Sequence, residues 1–181
     1  MMKKASFPKV VQQHKDCVLG YSYYFLRNRE DAEDVTQDVF VRLWQHWDEI
    51  DKNKIKAWVM QVAHHRCIDF TRKRKRIHKD SYKTASKPNT TVYQSSTKMQ
   101  DPNEQFELNE TQRLLLNALE GLPERTKSMM LMHYFQDLKF ETIADILDVN
   151  INTVKVTIHR GRKMLKGVIE REYPEMAEVS I

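Results

Sequence analysis

The segment from Lys139 to Leu165 constrains the fold most, because its apolar residues keep helical spacing twice, on either side of one bend. Asp148 lies at that bend, and aspartate tolerates a left-handed backbone better than most residues other than glycine. Asn150 follows as a good N-cap for the second helix. The sequence therefore predicts a helix-turn-helix. Its inward-facing residues are Ile143, Ala144 and Leu147 in the first helix, and Ile151, Val154, Ile158 and Leu165 in the second.

Polar and basic side chains cover most of the outer face of the second predicted helix. A helix of this kind can enter the major groove of DNA, with its first turns at the base edges and its later cations on phosphates. Each lost base contact would then cost about 1–3 kcal/mol. An ordinary helical hairpin with a solvated basic face is the competing interpretation. The candidate contacts are Thr153, Lys155, Val156, Thr157, His159, Arg160 and Lys163.

The rest of the chain is also predicted to be helical. Only 4 Gly and 5 Pro occur among 181 residues, which favours long helices, and no segment alternates with the period of a strand. Pro8 suits the first turn of a helix. We therefore expect an all-α fold. The predicted helices run from Pro8 to about Leu26, Glu30 to Trp47, Lys56 to about Lys79, Glu104 to Leu119, and about Glu124 to Phe135.

Residues 81–103 differ in composition from the segments on either side. They are rich in Ser, Thr, Lys, Asn and Gln, include Pro88 and Pro102, and contain almost no large aliphatic residues. Such a segment cannot bury enough apolar surface to order itself, so we predict a flexible linker. It divides the chain into two small helical domains, residues 1–80 and 104–175, with a tail at residues 176–181.

The charges are unevenly distributed, although the formal net charge is only +5. Acidic residues gather in Glu30–Asp38 and Asp48–Asp51, whereas basic residues gather in Arg72–Lys79 and Lys155–Lys166. A chain divided in this way can offer one surface to a basic partner and another to an acidic one.

The cysteines and histidines give no sign of a metal or cofactor site. Cys17 and Cys67 lie far apart without CxxC spacing, which excludes a disulfide framework and indicates a reducing compartment. The run His64–Cys67 lacks a second pair of ligands, so a structural role is expected. No apolar run approaches the roughly 18 residues of a membrane span, and the N-terminus lacks the apolar core of a signal peptide. We expect a cytoplasmic protein without a membrane span.

Several blocks of the sequence resemble one family, the bacterial RNA polymerase sigma factors of the sigma-70 family, in their extracytoplasmic-function (ECF) group. Asn28–Trp44, with its run Asp-Ala-Glu-Asp-Val-Thr-Gln-Asp-Val-Phe, resembles the region 2 helix, and Lys56–Arg76 resembles the segment after it. Blocks similar to region 4 are Leu122–Lys127, Tyr134–Leu138, and Thr153-Val-Lys with His159-Arg160. The resemblance implies two domains, region 2-like and region 4-like, in this order.

The first function that the resemblance implies concerns a polar stripe on the second helix. Its members recur at spacings of three and four, opposite an apolar face formed by Val35, Val39 and Leu43. The resemblance implies that this stripe docks on the cationic clamp helices of the polymerase β′ subunit. A solvated helix face with favourable dipole charges is the alternative interpretation. The stripe consists of Asp34, Gln37, Asp38 and Arg42.

The third helix and the loop before it are implied to bind the −10 element of a promoter. The loop from Asp51 to Ile55 would hold a flipped base, Trp58 would stack on a base, and the basic end of the helix would hold phosphates. Core packing of Trp58 against Val62 and Phe40, and a solvated basic helix end, are the alternatives. The implied contacts are Lys52, Asn53, Lys56, Trp58, Gln61, His64, His65, Asp69, Arg72, Lys73 and Arg74.

The helix-turn-helix is implied to recognise the −35 element, with Arg125 as a phosphate contact. The chain departs from the family pattern at several positions. Val156 and Thr157 stand where Ser and Arg are frequent, which indicates contact with thymine methyl groups or a shifted set of bases. His65 replaces a common Asn, and Asp148 replaces the usual Gly.

The resemblance implies a dissociable specificity subunit of RNA polymerase that directs promoter-specific initiation and is not an enzyme. Its implied partners are core polymerase, through the β′ clamp helices and the β subunit flap, promoter DNA, and an anti-sigma factor. A stand-alone helix-turn-helix regulator is the alternative, but it leaves Asn28–Arg76 unexplained. An enzyme acting on nucleic acid is a third hypothesis. The sequence offers it no Gly-rich phosphate loop and no nucleophile–base arrangement.

Overall fold

The computed structural model describes residues 6–84, 110–172 and 174, with the side chains of residues 6–76, 112–171 and 174. The described residues form helices joined by short turns and contain no strand, which confirms the all-α fold class and its two helical domains. The helices are α1 (Phe7–Leu26), α2 (Arg29–Gln45), α3 (Ile55–Thr84), α4 (Glu110–Glu120), α5 (Glu124–Met130), α6 (Phe140–Leu147) and α7 (Ile151–Glu172).

The predicted domain boundaries stay predictions. Helix α3 continues to Thr84, five residues beyond its predicted end, because no Gly or Pro occurs between Lys56 and Pro88 to stop it. The first residues of the predicted linker are therefore helical. Residues 85–103 of that linker and the tail at residues 176–181 lie outside the described residues, as does the predicted start of the fourth helix at Glu104.

Polar residues of the sequence mark where these helices begin and end. Arg27 adopts a left-handed backbone (φ 55°) at the end of α1, and the Asn28 side chain accepts a hydrogen bond of 2.9 Å from the Asp31 amide at the start of α2. Asp148 is left-handed as well (φ 50°), and Asn150 accepts a hydrogen bond of 2.8 Å from the Asn152 amide. The predicted bend between α6 and α7 is thereby confirmed.

The N-terminal domain is a bundle of α1, α2 and α3. The predicted apolar face of α2 is buried: Val35, Val39 and Leu43 are fully inaccessible to solvent. They meet Tyr21 of α1 and Val59 of α3, which are also fully buried. Burial of this kind contributes about 25 cal/mol for each Å² of apolar surface removed from water. It orients the opposite, polar face of α2 outward.

The C-terminal domain packs α7 across α4, α5 and α6. Val154 and Ile158 of α7 are buried as the sequence predicts. Gly161 is buried where α5 comes closest, since a Cβ atom there would lie 2.6 Å from Met130 Sδ and 2.7 Å from Thr126 Cγ2. One turn of π-helix, Leu131–Phe135, continues α5 toward α6. The two domains also touch, since α3 lies against α6 and α1 against the π-helical turn.

Candidate protein-binding and nucleic-acid-binding surfaces

The polar stripe of α2 (Asp34, Gln37, Asp38 and Arg42) lies on the outer face of the helix. Asp34, Gln37 and Arg42 are exposed and Asp38 is half-buried. The Asp38 carboxylate lies 2.9 Å from Arg42 Nε and 2.7 Å from Arg66 Nε of α3, so two guanidinium groups share it. The accessible negative charge of the stripe therefore rests mainly on Asp34.

Two exposed apolar side chains of α2 lie beside this stripe. Val41 is 54% exposed and Trp44 is 43% exposed. The rings of Trp44 and Phe7 pack edge to face, with 4.9 Å between their centres. Val41 continues the three-and-four spacing that begins at Asp34. Neither residue is among the predicted surface residues, although the spacing of Val41 is a signal that could have identified it. The stripe therefore has an apolar end, which suits a protein partner better than water.

The loop before α3 is held in place by its own polar residues. The Asp51 side chain accepts a hydrogen bond of 2.9 Å from the Asn53 amide, and this starts a short 3-10 turn, Lys52–Lys54. Lys52 Nζ donates to the Trp47 carbonyl and lies 3.7 Å from the centre of the Trp47 ring. Lys52, predicted to contact DNA, is thus also a brace for this loop.

The start of α3 lines one wall of a cleft of about 700 Å³. Four residues predicted for the −10 element lie on this wall: Asn53, Lys56, Trp58 and Gln61. Trp58 is half-buried and packs on the core of the N-terminal domain, so both interpretations of this residue have structural support. The opposite wall comes from the C-terminal domain and carries charges of both signs; its residues are Asp137, Leu138, Lys139, Thr142, Asp145 and Ile146.

His64 does not lie on an open face of α3. Its Nδ1 atom is 3.0 Å from the Tyr21 hydroxyl and 3.3 Å from Ser128 Oγ of the C-terminal domain. Burial, with a smaller contribution from nearby His65, lowers the pKa of His64 to about 4, while Glu124 opposes the shift. His64 is therefore neutral at pH 7. Its position reflects domain contacts that helical spacing cannot reveal.

The basic end of α3 is only partly available for phosphates. Arg72 and Lys73 are exposed, as are His65 and Asp69 further back along the helix. Arg74 is exposed as well, but it pairs with Asp31 of α2 and lies 3.5 Å from the carbonyl of Leu26 at the end of α1. A cation at a helix C-terminus stabilises the unpaired carbonyls there. Arg74 thus has a structural partner that the sequence did not indicate.

The outer face of α7, which we call the recognition face, is open. Lys155, His159, Arg160 and Lys163 are exposed, and Val156 is 47% exposed although it is apolar. Thr153 is also exposed, whereas Thr157 is half-buried. Arg125 is exposed on α5, the helix that packs against α7. The structure thus brings the predicted −35 residues to the outer side of one motif.

A second cavity of about 700 Å³ lies within the C-terminal domain, between α4, the π-helical turn and α7. Its floor is apolar and includes Leu119, Met130, Phe135 and Leu165. Its rim is mainly basic and consists of His159, Arg162, Lys163, Lys166 and Glu170, the last of which pairs with Lys166 at 3.5 Å. Helical spacing gives no sign of this groove, because its apolar residues follow the same spacing as a core face.

Other kinds of site are not seen in the part of the chain that the structure describes. It contains no group of three or more His, Cys, Asp or Glu side chains placed to hold a metal ion. Cys17 is half-buried and Cys67 is buried, and both are free thiols. Burial raises the pKa of Cys67 to about 12. None of the described helices combines the length and hydropathy that a bilayer span requires.

Comparison with known proteins accounts for both domains. The family model of sigma-70 region 2 matches residues 10–77, and that of sigma-70 region 4 matches residues 112–165, together about two thirds of the chain. The ECF RNA polymerase sigma factor SigW of Bacillus subtilis is 29% identical over 166 residues, 89% of this chain and 87% of that protein. The RNA polymerase sigma factor SigV of the same species is 27% identical over 170 residues, 93% of this chain and 94% of that protein.

Two solved structures share the fold. The sigma factor RpoE of Bartonella quintana, in complex with the anti-sigma factor NepR, aligns with a TM-score of 0.71 at 19% identity, covering 91% of this chain and 96% of that one. CnrH, in complex with the cytosolic domain of CnrY, aligns with a TM-score of 0.65 at 18% identity, covering 91% of this chain and 88% of that one. With regions 2 and 4 present in sequence and in fold, the chain belongs to the sigma-70 family of RNA polymerase sigma factors, in its ECF group.

Proposed function

We propose that this sigma factor binds core RNA polymerase and directs it to promoters by recognising −10 and −35 elements with its two domains. The observation that carries the proposal is the presence of regions 2 and 4, in that order, in one chain. A stand-alone regulator would account for the helix-turn-helix alone. The polymerase performs the nucleotidyl transfer, and this chain supplies specificity in the cytoplasm.

The polar stripe of α2 is the proposed docking site for the clamp helices of the β′ subunit. Exposed Asp34 and Gln37 would meet cationic and polar groups there, while Val41 and Trp44 would bury apolar surface at the edge. Aromatic residues are enriched in protein interfaces, so the exposure of Trp44 beside the stripe supports this assignment.

The two DNA elements are assigned to different helices. The −10 element would meet Asn53, Lys56, Trp58 and Gln61 at the start of α3, with Arg72 and Lys73 on phosphates. The −35 element would meet the recognition face of α7, with Arg125 on a phosphate. The exposure of Val156 supports a contact with a thymine methyl group, which is an apolar feature of the major groove.

The groove of the C-terminal domain supports a second contact with the polymerase. An apolar floor with Arg162 and Lys166 at the rim suits an amphipathic helix that carries acidic residues. We assign it to the β subunit flap. The relatives solved in complexes also support a sequestering partner, which we propose to be an anti-sigma factor that blocks these surfaces until a signal arrives.

The test is co-elution of the purified chain with bacterial core polymerase on size exclusion. We expect a stable complex that is lost in the double variant Asp34→Ala, Gln37→Ala. The matched control is Gln12→Ala with Asp16→Ala, which removes the same two side-chain types from an exposed part of α1 and should leave the complex intact. Tight binding of DNA by the chain alone, without any complex, would favour the stand-alone regulator.

A further inference from the structure

Lys127 is a buried cation that crosses from one domain to the other. It belongs to α5 and is only 5% exposed. Its Nζ atom donates to the Phe25 carbonyl of α1 at 2.9 Å and lies 2.6 Å from Glu120 Oε1 of α4. It also lies 5.3 Å from the centre of the Phe25 ring. An amine of the C-terminal domain thus caps the last turn of a helix of the N-terminal domain.

This contact can form only while the two domains touch. The last carbonyls of a helix have no partner within the helix and attract cations. Burying an ammonium group costs several kcal/mol unless hydrogen bonds replace its water. Burial is the largest cause of the lowered pKa of Lys127, and Glu120 opposes it. Since Phe25 provides one of the two acceptors, the site is complete only when α1 and α5 meet.

Further contacts extend the junction in both directions from Lys127. They include a hydroxyl pair, an amide contact, an ion pair and a ring contact, so the junction is continuous rather than a single point. The pairs are Tyr21 Oη–Ser128 Oγ (3.5 Å), Arg27 Nη2–Asn117 Oδ1 (3.0 Å), Lys75 Nζ–Glu124 Oε1 (2.7 Å) and Tyr24–Phe135 (4.9 Å between ring centres).

The same junction faces the proposed −10 surface. Lys56 Nζ donates to the Gln136 carbonyl at 3.3 Å, and Trp58 lies in the cleft beside it. The facing wall carries Lys139 between Asp137 and Asp145, so it brings charges of both signs to the cleft. The wall itself obstructs the approach of DNA to Trp58. The recognition face of α7, in contrast, is exposed.

We infer that the chain closes on itself, with Lys127 as the latch, and that closure sets a wall of the C-terminal domain opposite the half-buried Trp58 and Gln61 of the −10 surface while leaving the recognition face of α7 accessible. The closure stands on the geometry of the junction, whereas its effect on promoter use rests on the proposed function. A partner that binds the open form must overcome the contacts that Lys127 makes across the junction. It increases the open population only to the extent that it binds the open form more tightly than the closed form. Full use of a promoter therefore requires opening.

The first test uses the wild-type chain and a carbodiimide, which joins an amine to a carboxylate as an amide only when the two are in contact. Closure predicts a Lys75–Glu124 cross-link within the monomer, found by peptide mass spectrometry. The pair Lys166–Glu170, 3.5 Å apart within α7, serves as the control for the reaction. Formation of the control link without the Lys75–Glu124 link, in dilute monomer, would overturn the proposal.

The second test is Lys127→Met, which removes the charge and keeps most of the side-chain volume. Hydroxyl-radical footprinting should show increased modification of Tyr24, Trp58 and Phe135, with exposed Trp44 unchanged. Loss of a hydrogen bond to a charged group raises the open population about tenfold or more. Lys15→Met, on an exposed part of α1, is the matched control and should give the wild-type footprint.

A folded Lys127→Met variant, checked by circular dichroism, that gives the wild-type footprint would show that Lys127 is not the latch. If this variant does not fold, the cross-link in the wild-type chain decides alone. Neither test involves polymerase or a promoter, so failure of the closure is distinguishable from failure of the proposed function.

Discussion

The two proposed DNA-binding surfaces differ in what lies opposite them. At the start of α3, the half-buried Trp58 and Gln61 face a wall of the C-terminal domain. This wall carries Asp137, Lys139 and Asp145, and Lys56 donates a hydrogen bond to the Gln136 carbonyl beside it. The recognition face of α7 is exposed. Two surfaces with the same kind of partner thus differ in access, because access depends on domain contacts as well as on the residues of each surface.

The largest effect is expected at the open surface, from Lys155→Ala with Arg160→Ala. Two lost contacts to bases or phosphates should each cost about 1–3 kcal/mol in affinity for the −35 element. In transcription with purified polymerase, promoters that need this element should lose activity, whereas co-elution with core polymerase should persist. Lys9→Ala with Lys15→Ala removes the same charge from exposed α1 as a control. Equal losses in both variants would point to net charge instead.

Gly161→Ala tests whether the open surface depends on the close approach of α5 and α7. Met130 can move away from the added Cβ, but the methyl group of Thr126 is stiff because its side chain is branched at Cβ. We expect a loss of about 1–3 kcal/mol in the free energy of unfolding, measured with denaturant. Gly167→Ala, with nothing within 4 Å, should instead add up to about 1 kcal/mol. If the free energy of unfolding increased equally in both variants, the packing of α5 against α7 would not require glycine at position 161.

Acid should weaken the closed form of the chain. His64 is packed among Tyr21, Phe25, Ser128, His65 and Glu124, and its pKa is about 4 in the closed chain. Opening returns that pKa toward about 6.5, so the open form binds the proton more tightly. The stability that neutral His64 gives the closed form is present above about pH 6.5 and is lost as the pH falls toward 4.

The radius of gyration from small-angle scattering should therefore increase between neutral pH and pH 5. His64→Gln, which keeps a polar side chain and cannot titrate, should show a smaller increase. A variant that expands as much as the wild type would show that His64 does not carry the pH dependence.

The smallest effect is expected from Lys75→Ala. The Lys75–Glu124 pair joins the domains at 2.7 Å, but both side chains are substantially exposed. Exposed ion pairs contribute about 0–1 kcal/mol, so the footprint of Tyr24 and Phe135 should change little. A change in this footprint as large as that of Lys127→Met would mean that exposed ion pairs hold the domains together as strongly as buried Lys127 does.

Local pattern predicted much of each domain but little of their junction. Helical spacing identified the buried face of α2, and residue chemistry identified the bend at Asp148. Burial of Lys127 could not be predicted in this way, because lysine is almost always exposed and its acceptor lies 102 positions away in the sequence. The same holds for His64, whose partners come from α1 and α5. Spacing describes one helix, whereas these contacts depend on how separate helices meet.

The acceptor that α1 offers to Lys127 is a main-chain oxygen. Any residue at position 25 would present the same carbonyl, so substitutions there can remove the ring contact with the amine but not the hydrogen bond. On the other side of the contact, only the side chain at position 127 supplies the charge. A substitution at position 25 therefore leaves this hydrogen bond possible, whereas a substitution at position 127 removes both the hydrogen bond to α1 and the pair with Glu120.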